Sequence, residues 1–239
     1  MEYLDCTFPS PAENLACDEA LLDWAESGKG GESLRFWESP QPFVVVGYAN
    51  KVATEVNVAA CEARNIPILR RCSGGGTVVQ GPGCLNYSLV LSITGGGPLH
   101  GIALANQFVM RRNRAAIESV LDRPMAIRGH TDLAAGELKF SGNSQRRRKH
   151  FLLFHGTFLL NFDLALVGEL LRMPSKQPPY RENRSHDNFL VNLKLAARKI
   201  KAAMQKAWGA DSLLTNPPLE NIKALAREKY STHGWNFKF

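Results

Sequence analysis

Two spacings of apolar residues run along this chain. Residues 11–27 place Leu15, Leu21, Leu22 and Trp24 among acidic neighbours, the pattern of an amphipathic helix of about four turns that packs on a sheet. Residues 33–38 and 43–48 are short, apolar runs rich in β-branched and aromatic residues. They read as strands separated by the turn-forming Pro40 and Pro42. Asn57 is placed to cap a short helix to about Asn65, which leads into a strand over 67–71. Residues 85–93 alternate and then become almost wholly apolar, as a buried strand does. Helical spacing returns at Ile102, Ala105, Phe108, Val109, Ala116, Ile117 and Val120 and predicts a helix over 99–121, with Arg111, Arg112 and Arg114 on a solvated face. Short strands are expected at 125–128 and 132–135, and a buried strand interrupted at His155-Gly156 at 151–161. Residues 173–187 form a polar, proline-rich loop, and helices are expected at 192–208 and 219–230.

The stretch from residue 70 to 91, RRCSGGGTVVQGPGCLNYSLVL, joins two of these strands. Three consecutive glycines, Gly74, Gly75 and Gly76, lose much conformational entropy on folding. Such a run serves a turn, or it lets a ligand approach the backbone closely. Its N–H groups can hold an anion, and Ser73 and the positive charge of Arg70 and Arg71 favour that use. It is not a phosphate loop of the GxxxxGK[ST] kind, because no lysine follows the glycines. A second run, Gly95 to Gly97, is read as a flexible connection.

Lys139 follows the turn Ala135-Gly136-Glu137 and precedes Phe140-Ser141-Gly142-Asn143-Ser144-Gln145. A lysine among Gly, Ser and Asn, rather than other charges, suits contact with a phosphate or carboxylate. A surface lysine at a hairpin turn is the other reading. Residues 146–150, RRRKH, read as a solvated strand edge that resists edge-to-edge pairing, or as a guide for an acidic partner. A nucleic-acid role is disfavoured because no aromatic platform is interleaved with the basic residues. His155 and Gly156 inside an apolar run imply close backbone approach beside a ligand, or a core histidine with a satisfied hydrogen bond.

At 239 residues the chain can bury a real core. No apolar run approaches the roughly 20 residues that span a bilayer, and the N-terminus has no apolar signal region, so no membrane partner and a cytoplasmic location are expected. Five cysteines, with no C-x-x-C pair, argue against a disulfide framework and a structural zinc site. The net charge of +7 permits anionic small molecules, nucleic acid or an acidic protein without choosing among them.

RRCSGGGTVVQGPGCLNYS resembles the RRxSGGG signature of the lipoate–protein ligases, within the wider biotin and lipoate ligase and transferase family. A second stretch, residues 129–161, resembles the family's K-x-S-G-N/S-x-Q setting followed by an HGT-x-L-x-N strand. With residues 44–50 the likeness covers roughly 10–195. It implies an α+β fold of mixed, mostly antiparallel sheets packed with helices, with one catalytic domain over 1–239: a family-like core to 195 and a C-terminal helical extension over 196–239. It implies that ATP and Mg²⁺ activate lipoate to lipoyl-AMP, and that the lipoyl group then passes to a lysine of an acceptor protein. Lys139 would bridge the acyl carbonyl and the phosphate. Arg70, Ser73, Thr77 and the Gly74–Gly76 backbone would hold the adenylate. Asn86 and Asp132 match positions near nucleotide or Mg²⁺, and Ser141, Gly142, His155 and Gly156 complete the motifs. Gly47, Tyr48 and Asn50 would contact the lipoyl chain, in an apolar slot near Val46 and Val78. Gln80-Gly81 departs from the family's frequent His-Asp.

The implied partner is an acidic lipoyl-accepting domain, as in 2-oxoacid dehydrogenases or glycine-cleavage H-type proteins, with a separate accessory subunit as a further expectation. The rival within the fold is an octanoyl or lipoyl transferase that works through a cysteine thioester without ATP. In one transferase group that cysteine stands two residues before the Phe of FHG, which is Leu152 here, leaving Cys84 as the candidate. A biotin ligase ranks below, and a non-catalytic binding module is the reading from another class.

Overall fold

The computed structural model describes residues 1–93 and 97–239, so most of the second glycine run lies outside the described residues. The chain begins with β1 (Glu2–Asp5), α1 (Pro11–Glu26), β2 (Ser33–Trp37), β3 (Phe43–Val46), α2 (Val52–Glu55), α3 (Val58–Ala63), β4 (Ile68–Arg70), β5 (Val78–Gln80) and β6 (Cys84–Ser92). It continues through α4 (Ile102–Leu121), β7 (Ala126–Arg128), β8 (Asp132–Ala135), β9 (Leu138–Arg147), β10 (Phe151–Leu159), α5 (Ala165–Leu170) and a 3₁₀ turn (Pro179–Arg181). The last elements are α6 (Ala197–Trp208), β11 (Ser212–Leu213), α7 (Leu219–Leu225), a π turn (Ala226–Tyr230) and α8 (His233–Asn236).

Eight strands form one sheet in the order β11-β1-β2-β6-β10-β9-β8-β7, and three form a second in the order β4-β3-β5. Pairing is antiparallel except at β1–β11, β1–β2 and β3–β4. This is the expected α+β architecture of mixed, mostly antiparallel sheets. Alternation along the central strands decides the layering. Leu89, Leu91, Leu152 and Phe154 face the core under α4 and α6, while Val90 and Leu153 face the core under α1 and α7. A third core lies between the small sheet and α2, α3 and α5.

α1 starts where its sequence provides for it. Ser10 and Glu13 form a reciprocal capping box, and Pro11 takes the first turn, where its missing N–H costs nothing. The helix is buried more completely than its acidic residues foretell. Asp18 and Glu19 are nearly sealed from solvent, opposite Arg35 of β2 and Lys229 of the π turn.

Several expectations are corrected. Lys139 follows a tight hairpin turn at Gly136-Glu137, as the second residue of the ten-residue strand β9 inside the large sheet, and is half-buried and not a free surface lysine. β10 runs unbroken through His155-Gly156, because Gly156 sits directly against the Asn143 side chain of β9, where a Cβ would lie 1.7 Å from Asn143 Oδ1. The RRRKH run is not a free edge. Arg148 pairs with Asp23, the Glu26 carboxylate accepts the N–H groups of Lys149, His150 and Phe151, and Arg147 donates to the carbonyls of Leu99 and His100. Arg112 is exposed, as expected, and its guanidinium also lies over the Phe108 and Trp208 rings. The basic helix begins at Ala197, not 192. Residues beyond 195 add a strand beside β1, fill the core under α4 with Ile200, Met204 and Trp208, and bury Ile222 and Tyr230 against α1. No helix among the described residues is long and apolar enough to cross a membrane.

Candidate active site

A cavity of about 1000 Å³ opens between the two sheets. Its floor is a row of cross-strand neighbours on the large sheet: Trp37 on β2, Asn86 on β6, Thr157 on β10, Gly142 on β9 and Asp132 on β8. Val45, Val78, Val79 and Gln80 of the small sheet line it from the other side. The segment from Arg172 to Leu190 contributes Tyr180, Arg181, His186 and Phe189.

At one end stands Lys139. The register of β8 against β9 shifts by one residue between Leu133 and Ala134, so Phe140 is extra on β9 and turns into the core under α4. The bulge re-aims Lys139 towards Gly142, whose hypothetical Cβ would lie 2.9 Å from the ammonium. The backbone of Lys139 is clamped from the outside, its N–H donating to the Phe189 carbonyl and its carbonyl accepting from Val191. Lys139 Nζ lies 2.8 Å from Asp132 Oδ1, and the Tyr180 hydroxyl donates to Asp132 Oδ2 at 2.8 Å. Burial, then the Asp132 charge, pushes the Tyr180 phenol well above its ordinary value, so it stays protonated as a donor. A cation held by one replaceable carboxylate, beside Ser141 and Gly142, can receive a phosphate or acyl oxygen without a large rearrangement.

The glycine loop forms the adjoining wall, and Arg71 shapes it. The Arg71 guanidinium, 8% exposed as a residue, donates to the carbonyls of Gly74 and Gly76 and to Ser73 Oγ. Burial brings its pKa down to about 10, which leaves it charged near neutrality. Asn50 donates to the Gly75 carbonyl and Ser144 to that of Gly74. These bonds fix the loop's carbonyls and set Gly75 and Gly76 at the cavity wall. Gly75 takes φ +84°, and a Cβ on Gly47 would strike the Gly75 carbonyl at 2.1 Å, so these two glycines are required by close approach.

The structure brings Lys139, Asp132, Gly75, Gly76, Thr77, Asn86, Ser141, Gly142, His155 and Gly156 to the cavity wall. Arg70 is not there. Its side chain is fully buried, donating to the carbonyls of Gly47, Tyr48, Asn50 and Asn236. It is a structural clamp, and the arginine on the cavity is its neighbour Arg71. Gly47, Tyr48, Ser73 and Gly74 support the loop from behind. Tyr48 packs on Trp235 and Phe239, and Val46 faces the third core, so Val45 takes the place expected of it.

Behind the glycine loop, Ser73 Oγ lies 2.5 Å from His155 Nε2, and His155 Nδ1 lies 3.0 Å from Asp18 Oδ2. Asp18 also accepts from Arg35 and Ser88. Burial would raise the Asp18 carboxyl, but the His155 hydrogen bond and the Arg35 guanidinium outweigh it and hold the pKa below the ordinary value. Ser73 is almost fully buried and its oxygen already receives the Arg71 N–H, so this chain holds the loop in place rather than supplying a nucleophile. A second buried chain runs Trp208–Asn113–Tyr87–Asn143, with Asn143 bonded to the backbone of Thr131 beside Asp132.

Asp18, Asn143, Thr157 and Tyr180 escaped the sequence reading as site residues. Asp18 had a signal: it lies on the stripe of Leu15 and Leu22. Asn143 and Thr157 stand within the quoted motifs. Tyr180 had none, because a proline-rich loop gives no periodicity.

None of the five cysteines lines the cavity. Burial pushes the Cys17 and Cys72 thiols up to about 12, and that of Cys84, packed in the third core, further still. Leu152 is buried under α4. Among the described residues no group of three or more His, Cys, Asp or Glu is placed to hold a metal. Asp132, the carboxylate expected near Mg²⁺, has both oxygens engaged, by Lys139 and by Tyr180.

The sequence model for the lipoyl protein ligase A/B catalytic domain matches residues 10–208. The chain is 27% identical to an octanoyltransferase LipM from Geobacillus kaustophilus, across 99% of this chain and 97% of that one. It is 29% identical to lipoate–protein ligase 1 from Staphylococcus aureus, across 95% of this chain and 70% of that one. A crystal structure of a lipoate–protein ligase A bound with ATP superposes with a TM-score of 0.79 at 25% identity, covering 99% of this chain and 98% of that one.

Proposed function

We propose, from the premise that the chain belongs to the lipoyl protein ligase A/B catalytic-domain family, that it is an ATP-dependent lipoate–protein ligase. The observation that carries this reading is the pairing of Lys139 with Asp132 in a cavity whose wall holds no cysteine. Adenylation needs positive charge where a carboxylate meets the α-phosphate, and an ammonium at that point offsets the charge that builds up. Lys139 would leave Asp132 for the acyl and phosphate oxygens. The glycine-loop N–H groups would hold the adenylate, and Tyr180 would keep Asp132 in position. Mg²⁺, when bound with ATP, would offset phosphate charge. The acyl chain would lie along Thr157, Asn86 and Trp37. In the second step the acceptor lysine attacks the acyl carbon and AMP leaves. The acceptor is an acidic lipoyl domain, in keeping with the net charge of +7.

A second reading is favoured by the octanoyltransferase relative: acyl transfer from a carrier without ATP. It would need a thiolate, and Cys84 is the least suited to ionise.

Both readings are tested by incubating the protein with lipoate and apo lipoyl domains, with and without ATP, and reading the acceptor mass. A shift that requires ATP, falls at least about 100-fold in Lys139→Ala (roughly 3 kcal/mol of transition-state stabilisation), and persists in Cys84→Ser supports the ligase. Transfer from an octanoyl carrier without ATP, lost in Cys84→Ser, overturns it. Lipoyl-AMP formed without transfer points to a separate accessory subunit.

A further inference from the structure

Outside the cavity, the surface carries two cations that no carboxylate neutralises. Among the described residues, the side chains of Arg146 and Lys238 make no hydrogen bond and no ion pair, and each rests on aromatic rings instead. Arg146 Cζ lies 5.6 Å from the centre of the Tyr48 ring. Lys238 Nζ lies 3.6 Å from the centre of the same ring, 4.1 Å from that of Trp235 and 4.9 Å from that of Phe239. The three rings form one cluster, with Tyr48 5.9 Å from Trp235 and 6.4 Å from Phe239. Tyr48 is 36% and Phe239 52% exposed, so the cluster reaches solvent.

An aromatic face holds a cation through its quadrupole and leaves the charge in place. The two charges share Tyr48, so they repel each other, and a negative group beside the ring would relieve both. The neighbouring arginines are already engaged: Arg148 pairs with Asp23, and Arg147 donates to backbone carbonyls. Tyrosine, tryptophan and arginine are also the residue types that carry most of the energy in protein interfaces. The patch thus fits a protein surface that bears carboxylates. It fits a nucleic acid less well, because the chain's own cations cover ring faces on which bases would stack.

Strand β9 sets the distance from this patch to the reacting end of the cavity. Gly142, Ser144 and Arg146 alternate onto one face of the strand. Gly142 lies against the Lys139 ammonium, and Ser144 bonds the Gly74 carbonyl. Arg146 therefore emerges past the glycine loop, about 13 Å from Gly142 at roughly 3.3 Å per residue. Tyr48 is tied to the same loop, since its N–H donates to the Ser73 carbonyl. A small domain that offers a lysine to the Lys139 end of the cavity has a face broad enough to reach this far.

We propose that Arg146 and Lys238, mounted on Tyr48, Trp235 and Phe239, form the docking surface for the acidic acceptor domain. Carboxylates of that domain, roughly 13 Å from the ammonium of its acceptor lysine, pair with them. This rests on the reading that the chain acylates a protein lysine, but not on how the acyl group is activated.

The test is binding of an apo lipoyl domain to the purified protein without ATP, followed as association and dissociation rates at low and moderate salt. Lys238→Glu and Arg146→Gln should each weaken binding about fivefold or more, mainly through slower association, and reduce its dependence on salt. Lys238→Arg, which keeps the charge on the rings, should bind as the wild type does. The rate of lipoyl-AMP formation should be unchanged in all three variants. Unchanged acceptor binding in either charge-changing variant overturns the proposal, as does a wild-type protein that binds no apo lipoyl domain. So does an equal fall in adenylate formation and acceptor binding, the mark of a displaced glycine loop. Binding of a DNA or RNA oligonucleotide that both variants lose, with acceptor binding intact, would assign the patch to nucleic acid instead. A wild type that forms no lipoyl-AMP, with variants that still lose the acceptor, sinks the ligase reading and leaves the docking surface standing.

Discussion

At the scale of the residue, charge here is managed by burial as much as by exposure. Arg35 and Asp18 are both sealed from water and meet at 2.7 Å, and Asp18 also fixes His155. Removing one partner of such a pair leaves the other charged and alone. Asp18→Asn should destabilise the fold by roughly 3–5 kcal/mol in urea unfolding near neutral pH. The pH dependence has a definite sign. A carboxyl with a lowered folded pKa contributes stability that is complete above its unfolded value, near ~3.9, and is lost as pH falls through the folded value. The gap between wild type and Asp18→Asn should therefore hold from about pH 5 upwards and close below about pH 4. A gap that stayed constant in acid would show that Asp18 acts through shape alone.

At the scale of the element, the last helix and tail act on a loop far from them in sequence. Asn236 Oδ1 accepts the Arg70 N–H, Trp235 Nε1 donates to the Arg70 carbonyl, and the carbonyls of Trp235 and Asn236 accept from its guanidinium. The same guanidinium holds the carbonyls of Gly47, Tyr48 and Asn50, and Asn50 in turn holds Gly75. The C-terminal residues thus brace the glycine loop at one remove. Asn236→Ala leaves the buried Arg70 N–H without its acceptor and should cost about 1–3 kcal/mol in thermal or urea unfolding. Removing residues 233–239 should cost more and, under the ligase reading, raise the KM for ATP several-fold. A truncated protein with unchanged KM would show the brace to be structural only.

At the scale of the whole molecule, the excess of seven positive charges matters most for a large acidic partner and least for a small acid that enters the cavity. Raising salt from about 50 to 300 mM should raise the KM for an apo lipoyl domain several-fold, because the Debye length shrinks below the span of the facing charges. The rate of adenylate formation should change much less. Equal effects on both steps would locate the salt-sensitive contact in the cavity itself.

The chain's own pattern determined a good deal. The helix starting at Pro11, the strands at 33 and 43, the buried strand at 85 and the long helix to Leu121 were legible because local spacing and capping act within a few residues of one another. The two glycine-containing motifs marked the cavity wall, because Gly75 takes a positive φ and Gly156 sits too close to the Asn143 side chain for a Cβ. What tertiary structure decided was which way each polar side chain faces. Arg70 and Arg71 are adjacent, so any reading of composition treats them alike, yet strand alternation sends one into a buried clamp and the other to the glycine loop. The bulge at Phe140 that turns Lys139 towards Asp132 depends on a register with β8 that no local pattern encodes. Asp18, Tyr180 and the tail around Asn236 act through partners 48 to 166 residues away. Contacts at that separation exist only once the sheets have paired.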